Sequence, residues 1–104
     1  MTIQQLQYII AVEKFRSFAK AAVNCDITQP TLSMMIAKLE QELDVRIFDR
    51  TNKYVELTAI GYKIIKQATK TVMEAERIRE IINETRDTLS GELRLSVGPS
   101  IAPY

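Results

Sequence analysis

Apolar residues recur at positions 6, 9 and 10, then at 18, 21, 22 and 25, and then at 32, 36, 39 and 43. Each set keeps the three- and four-residue steps of one helix face, so three short amphipathic helices are predicted. The first covers about 3–14, with Thr2 and Gln5 forming a capping box and Ile3, Leu6, Ile9 and Ile10 turned inward. Ser17 caps the second, whose inward positions are Phe18, Ala21, Ala22 and Cys25. Its paired alanines permit a close crossing. The third covers 28–43, opening on the Thr28 cap with Pro30 in its first turn. Because the turn-prone Asn24-Cys-Asp26 nearly abuts Thr28, the second and third helices form a helix-turn-helix by spacing alone.

After Leu43 the period changes. Val45 and Ile47, then Tyr54, Val55 and Leu57, form two strand-like runs around Arg50-Thr-Asn-Lys53, which reads as a hairpin with a basic tip, a wing. Thr58 then caps a proline-free helix over 59–89, roughly 45 Å long at about 1.5 Å per residue. Along it Ile64, Ala68, Thr71, Ala75, Ile78, Ile82, Thr85 and Leu89 alternate steps of four and three, a repeat that asks for a partner helix. The competing reading is a helix that covers only its own domain. Ser90-Gly91 is expected to stop the helix, and 92–97 alternates polar and apolar as a strand does. A lone strand cannot form a sheet. The fold class is therefore mainly α, a winged helix-turn-helix (1–57) followed by a long linker and dimerisation helix (58–89). Residues 90–104 read as the hinge and first strand of an effector domain that is not in the chain.

Only one edge of the third helix has an inward role. With about 100° per residue and the buried centre at Leu32, Ile36, Leu39 and Leu43, the opposite edge carries Pro30, Met34, Ala37, Lys38 and Gln41, flanked by Thr31 and Ser33. No acid occurs between Ile27 and Leu39. Small, amide, hydroxyl and basic side chains are what a helix needs to approach base edges and phosphates, so this is the candidate recognition helix.

Charge weakens one form of that reading. The net charge is +1, and residues 1–57 hold seven Lys or Arg against seven Asp or Glu. Arrangement has to carry the case: acids gather at Glu40, Glu42, Asp44 and Asp49, while Arg16, Lys20, Lys38, Arg50 and Lys53 fall at helix starts and in the wing. One cysteine and no histidine leave no zinc constellation and no disulfide, three scattered glycines make no phosphate loop, and no nucleophile and base pair stands out. No catalytic residue, metal or cofactor is therefore expected. Cys25, on the apolar face of the second helix, reads as a small buried residue. With no basic n-region and no apolar run of membrane length, the expected location is cytoplasmic and nucleoid-associated, with no membrane partner.

Several motifs stand in register with one family: Leu6-Gln-Tyr-Ile9, Ser17-Phe-Ala-Lys-Ala-Ala22, Thr28-Gln-Pro-Thr-Leu-Ser33, Ile36-Ala-Lys-Leu-Glu40, Leu43, Ile47-Phe-Asp-Arg50 and Leu57-Thr-Ala-Ile-Gly61. Over its whole length the chain resembles the LysR-type bacterial transcriptional regulators. Within that family Ser90-Gly-Glu-Leu93 and the ending from Val97 to Tyr104 look most like the peroxide-sensing OxyR subgroup. The resemblance implies a linker helix paired antiparallel in a homodimer and an effector domain of periplasmic-binding-protein type starting near Glu92. It leaves room for a tetramer of the full-length regulator and for RNA polymerase as a further partner.

Carried over position by position, the family's DNA contacts fall on Gln29, Pro30, Thr31, Ser33, Met34 and Lys38, with Arg50 and Lys53 in the wing. Two positions depart from the pattern. Asp44 stands where glycine is usual, which Asp tolerates because it can enter the left-handed region. Met34 stands where many members carry a polar or basic side chain; it either fills space or packs on a thymine methyl. Arg50 either meets DNA or braces Asp49 or Glu56. In the OxyR-like subgroup the sensing thiols belong to the effector domain, so redox sensing is not expected of this chain. The expected function is reading of an interrupted palindrome in double-stranded DNA by a dimer. The alternative is a winged-helix module that binds a protein partner, which the near-zero charge would suit.

Overall fold

Each helix begins where the sequence supplies a cap. In this computed structural model, which describes residues 1–50 and 54–92 except the side chains of 87–92, α1 spans Ile3–Phe15, α2 Phe18–Asn24 and α3 Gln29–Leu43. Thr2 and Gln5 form the expected capping box, the Gln5 N–H donating to Thr2 Oγ1 (3.1 Å) and the Thr2 N–H to Gln5 Oε1 (3.0 Å). Ser17 Oγ accepts from the Lys20 N–H (3.1 Å), and Thr28 Oγ1 from the Thr31 N–H (3.3 Å). These bonds satisfy donors that a first helical turn leaves free.

The ends of α2 and α3 are made by aspartates in place of glycine, while α1 ends on Arg16 at φ 52°. At the end of α2 Asp26 adopts φ 60°, while the Ile27 N–H reaches the Ala22 carbonyl (3.0 Å) and the Asp26 N–H that of Val23 (3.1 Å). This is the paired bond pattern of a Schellman motif. It turns the chain sharply enough for α3 to start at Gln29, which builds the helix-turn-helix. The same pattern ends α3: Asp44 sits at φ 56°, ψ 43°, with Val45 N–H to Glu40 O (3.1 Å) and Asp44 N–H to Gln41 O (3.2 Å). Left-handed backbone costs a side chain that glycine escapes. Asp44→Gly is therefore expected to stabilise the domain by about 0.5–1 kcal/mol, read as a higher urea midpoint at unchanged slope.

Beyond α3, β1 (Phe48–Asp49) pairs antiparallel with β2 (Glu56–Leu57), Phe48 opposite Leu57 and Asp49 opposite Glu56. β1 is shorter than the run that began at Val45, because the Val45 and Ile47 N–H groups are taken by Glu40, and β2 is shorter than the run that began at Tyr54. The expected basic tip at 51–53, Lys53 included, lies outside the described residues. α4 (Ala59–Glu92) starts on Thr58, whose hydroxyl accepts from the Gly61 N–H (2.9 Å) and whose N–H donates to the Ile47 carbonyl (3.0 Å). The start of α4 is thereby bonded to the chain entering β1. The expected stop at Ser90-Gly91 is not observed, since α4 continues to Glu92. A single helical glycine costs only about 1 kcal/mol, too little to end a helix without a cap. Glu92 is thus helical rather than the first strand residue, and the rest of that expected strand lies outside the described residues.

The chain divides into two units between Val72 and Met73. In the first, Leu6, Ile9 and Val12 of α1 join Phe18, Ala21 and Ala22 of α2, Leu32, Ile36 and Leu39 of α3, Ile47, Phe48 and Ala68 in one core. Gln5, also buried, donates from Nε2 to the Met35 carbonyl (3.1 Å) and ties α1 to α3. Two inward expectations are corrected. Ile3, in the first turn before α1 reaches the core, is 41% exposed; Cys25 is half-buried because it caps the end of α2 instead of lying within it. In the second unit α4 exposes Met73, Ile78, Ile81 and Ile82.

Candidate nucleic-acid interface

Burying Leu32, Ile36 and Leu39 forces the opposite edge of α3 outward. Pro30, Thr31, Met34, Ala37, Lys38 and Gln41 are exposed there, Ser33 is half-buried at its margin, and Gln29 is exposed in the first turn of the helix. Five of the six expected α3 contact residues are therefore exposed, and Ser33 is half-buried beside them. Thr28 donates its hydroxyl hydrogen to Thr31 Oγ1 (2.8 Å). With that lone pair engaged, the Thr31 hydroxyl hydrogen is free to point away from the helix as a donor. Met34 is 50% exposed, so it does not fill the core.

Between the second half of α3 and the wing runs an open groove of about 550 Å³ lined by Ala37, Glu40, Gln41, Asp44, Val45, Arg46 and Arg50. Arg50 has an acidic partner in Glu40, which was not among the expected ones. Its Nη2 lies 3.7 Å from Glu40 Oε1, and its guanidinium carbon stands 4.4 Å above the Phe18 ring. The other Glu40 oxygen accepts from the N–H groups of Ile47 (2.8 Å) and Phe48 (3.2 Å). Glu40 was missed as a functional residue and counted only among the clustered acids. Its signal was present: it continues the step of four from Leu32 and Ile36, so a charged side chain stands on the buried face.

Of the other cations, Arg16 folds back on Glu13 (3.2 Å) and Lys14 stands over Phe15. Lys20 and Lys38 are exposed.

The expected dimerisation residues separate into two sets. Ala68 is 3% exposed within the domain core, and Ile64 packs against it. Ala68 therefore cannot meet a partner helix; its small side chain lets α4 approach its own domain instead. Thr71 and Ala75 are half-buried, Ile78 and Ile82 are exposed, and the Leu89 side chain lies outside the described residues. Ile81 and Met73, exposed beside them, were not singled out, although the adjacent pair Ile81-Ile82 is visible in the sequence. Burial pushes the Cys25 thiol up from its ordinary value, which lowers its thiolate fraction and its reactivity at neutral pH. Among the described residues no cluster of metal-binding side chains occurs, and no helix is long and apolar enough to cross a membrane.

A helix-turn-helix with an exposed, acid-free helix edge beside a two-stranded wing defines the class of winged helix-turn-helix regulators. Residues 3–62 match the family described as bacterial regulatory helix-turn-helix protein, lysR family, and the chain belongs to that family. It is 36% identical over 104 residues to the DNA-binding transcriptional dual regulator OxyR of Escherichia coli K12, matching all of this chain and 34% of that protein. A full-length OxyR variant from Pseudomonas aeruginosa superposes with a TM-score of 0.78 at 42% identity, covering 81% of this chain and 28% of that one. The BenM DNA-binding domain in complex with catB site 1 DNA superposes with a TM-score of 0.77 at 31% identity, over 81% of this chain and 93% of that one. The motif resemblance, its OxyR-like leaning included, is borne out. The chain spans about a third of the length of its hydrogen peroxide-inducible activator and OxyR relatives.

Proposed function

We propose that this chain is the sequence-reading DNA-binding part of a bacterial transcriptional regulator and that it acts as a homodimer. The observation that carries the reading is the acid-free outward edge of α3, where Pro30, Thr31, Ser33, Met34 and Lys38 stand, with Gln29 exposed in the first turn. Gln29 can pair bidentately with adenine, the hydroxyls can reach bases or phosphates, and Lys38 suits a phosphate. Arg50 lies on the wing side of the same surface, and Lys53 is the second wing contact that the family motif implies. Relatives solved on DNA support the assignment, the BenM domain among them. For the dimer, the support is a run of exposed isoleucines, Ile78, Ile81 and Ile82, whose apolar surface a second copy would remove from water.

Competition between random duplex and a duplex selected from a random pool, at physiological salt, tests the reading. A preference for the selected duplex is expected. Equal binding to both, together with retained binding to a protein partner, would favour the protein-interaction alternative. If Lys38 holds a phosphate, Lys38→Ala weakens all duplexes alike and lowers the salt slope by about 0.9. Replacing thymine by uracil one half-site position at a time locates any methyl that Met34 touches, and no loss anywhere would show that it touches none. Sedimentation as a monomer at micromolar concentration would contradict the dimer. The relatives' names refer to hydrogen peroxide, but the raised Cys25 pKa argues against placing peroxide chemistry in this domain.

A further inference from the structure

Glu40 is the one acid of α3 that is buried, only 9% exposed, and it reaches three groups of the wing side at once. Oε2 holds the N–H groups of Ile47 and Phe48, and Oε1 faces the Arg50 guanidinium. Arg50 is supported from below by the Phe18 ring, which in turn meets Phe48 edge-on at 5.9 Å. A single carboxylate thus links the candidate reading helix to β1, with α2 as the floor. Losing it leaves two buried backbone donors without that acceptor and removes the carboxylate beside the partly exposed Arg50 guanidinium.

We propose that Glu40 is a positioning residue for DNA reading: it fixes β1 and Arg50 against α3, so that discrimination between sequences depends on a side chain that itself contacts no base. This rests on the DNA-reading function proposed above. Charge alone makes the opposite prediction. A carboxylate near the duplex repels phosphates, so removing it should tighten binding to every sequence. Positioning instead predicts a loss confined to the preferred sequence.

The test uses the full chain with Glu40→Ala and Glu40→Gln, the second keeping the size of the side chain. An amide has one acceptor oxygen, so the glutamine can serve either the Ile47 and Phe48 donors or Arg50, and sets an N–H against the other. Two measurements are made: amide exchange at Ile47 and Phe48 without DNA, and affinity for the selected and random duplexes. Glu40→Ala is expected to speed exchange at both amides by about tenfold or more and to cut the selected-to-random affinity ratio by a similar factor. Glu40→Gln gives an intermediate loss of the ratio, and carries the test alone if the alanine variant does not fold. Leu6→Ala, which destabilises the core away from the wing, should leave the ratio unchanged. Unchanged exchange at Ile47 and Phe48 in Glu40→Ala, equal tightening on both duplexes, or the same loss of ratio in Leu6→Ala would each overturn the proposal. The exchange measurement needs no DNA, so it decides whether Glu40 holds β1 even if the wild-type chain shows no preferred sequence, a result that would sink the DNA-reading function instead.

Discussion

Gly61→Ala is expected to lower the melting temperature by roughly 10–15 °C, corresponding to about 2 kcal/mol for a domain of this size. A Cβ at this position would stand 2.1 Å from the Ile47 carbonyl oxygen and 2.9 Å from its carbon, both backbone atoms. Neither can swing aside as a side-chain end would. The helix-forming advantage of alanine over glycine, about 1 kcal/mol, works in the other direction. It does not offset the clash, because the same Ile47 carbonyl also accepts the Thr58 N–H. Relief would require pulling the start of α4 away from β1 and losing that bond. A melting temperature unchanged within error would show that α4 does not begin against Ile47. Should the variant remain folded, β1 and the wing should shift most, and selective binding should fall more than random binding.

How much of this was legible in the sequence varies with the kind of contact. Capping by Thr2, Ser17, Thr28 and Thr58 was readable because it is local: donor and acceptor lie three residues apart. The inward faces of α2 and α3 were readable from periodicity, and the outward edge of α3 followed by elimination. The two Schellman ends were only half legible. Asn24-Cys-Asp26 looked turn-prone and Asp44 stood where glycine is usual, but the shared left-handed geometry is a backbone property that residue type alone leaves open.

Long-range contacts were not legible. Glu40 meets Ile47, Phe48 and Arg50 across the chain reversal after α3, and no local pattern names its partners. Ala68 shows the limit of heptad reasoning. A small residue at a seam position permits close approach, but the approaching surface can be the helix's own domain, as it is here. Ile78 and Ile82 continue the same repeat where they are exposed, and Ile81 widens the apolar stripe. The repeat therefore runs from a buried stretch into an exposed one, and spacing could not tell where one gave way to the other.

Phe48→Ala is expected to cost about 3–5 kcal/mol, the range for emptying a fully buried aromatic site. Phe48 is 1% exposed and is among the largest fully buried side chains of the domain. Against a total stability on the order of 5–15 kcal/mol, such a loss is a large fraction of the whole, visible as a urea midpoint shifted far down. Phe48→Leu retains most of the volume and should cost less than about 1.5 kcal/mol. Equal midpoints for the two variants would show that the ring is not packed as described. The backbone N–H of residue 48 survives in both, so the bond to Glu40 is not what distinguishes them. What differs is the support of Phe18. The edge of one ring meets the other at an interplanar angle of 73°, while Phe18 also carries Arg50 on its face. Emptying the Phe48 site frees Phe18 to tilt into the cavity, and Arg50 loses its floor without being touched. At temperatures where Phe48→Ala is still folded, its selective binding should therefore be weaker than that of Phe48→Leu, and Arg50→Gln should cost less in Phe48→Ala than in the wild type.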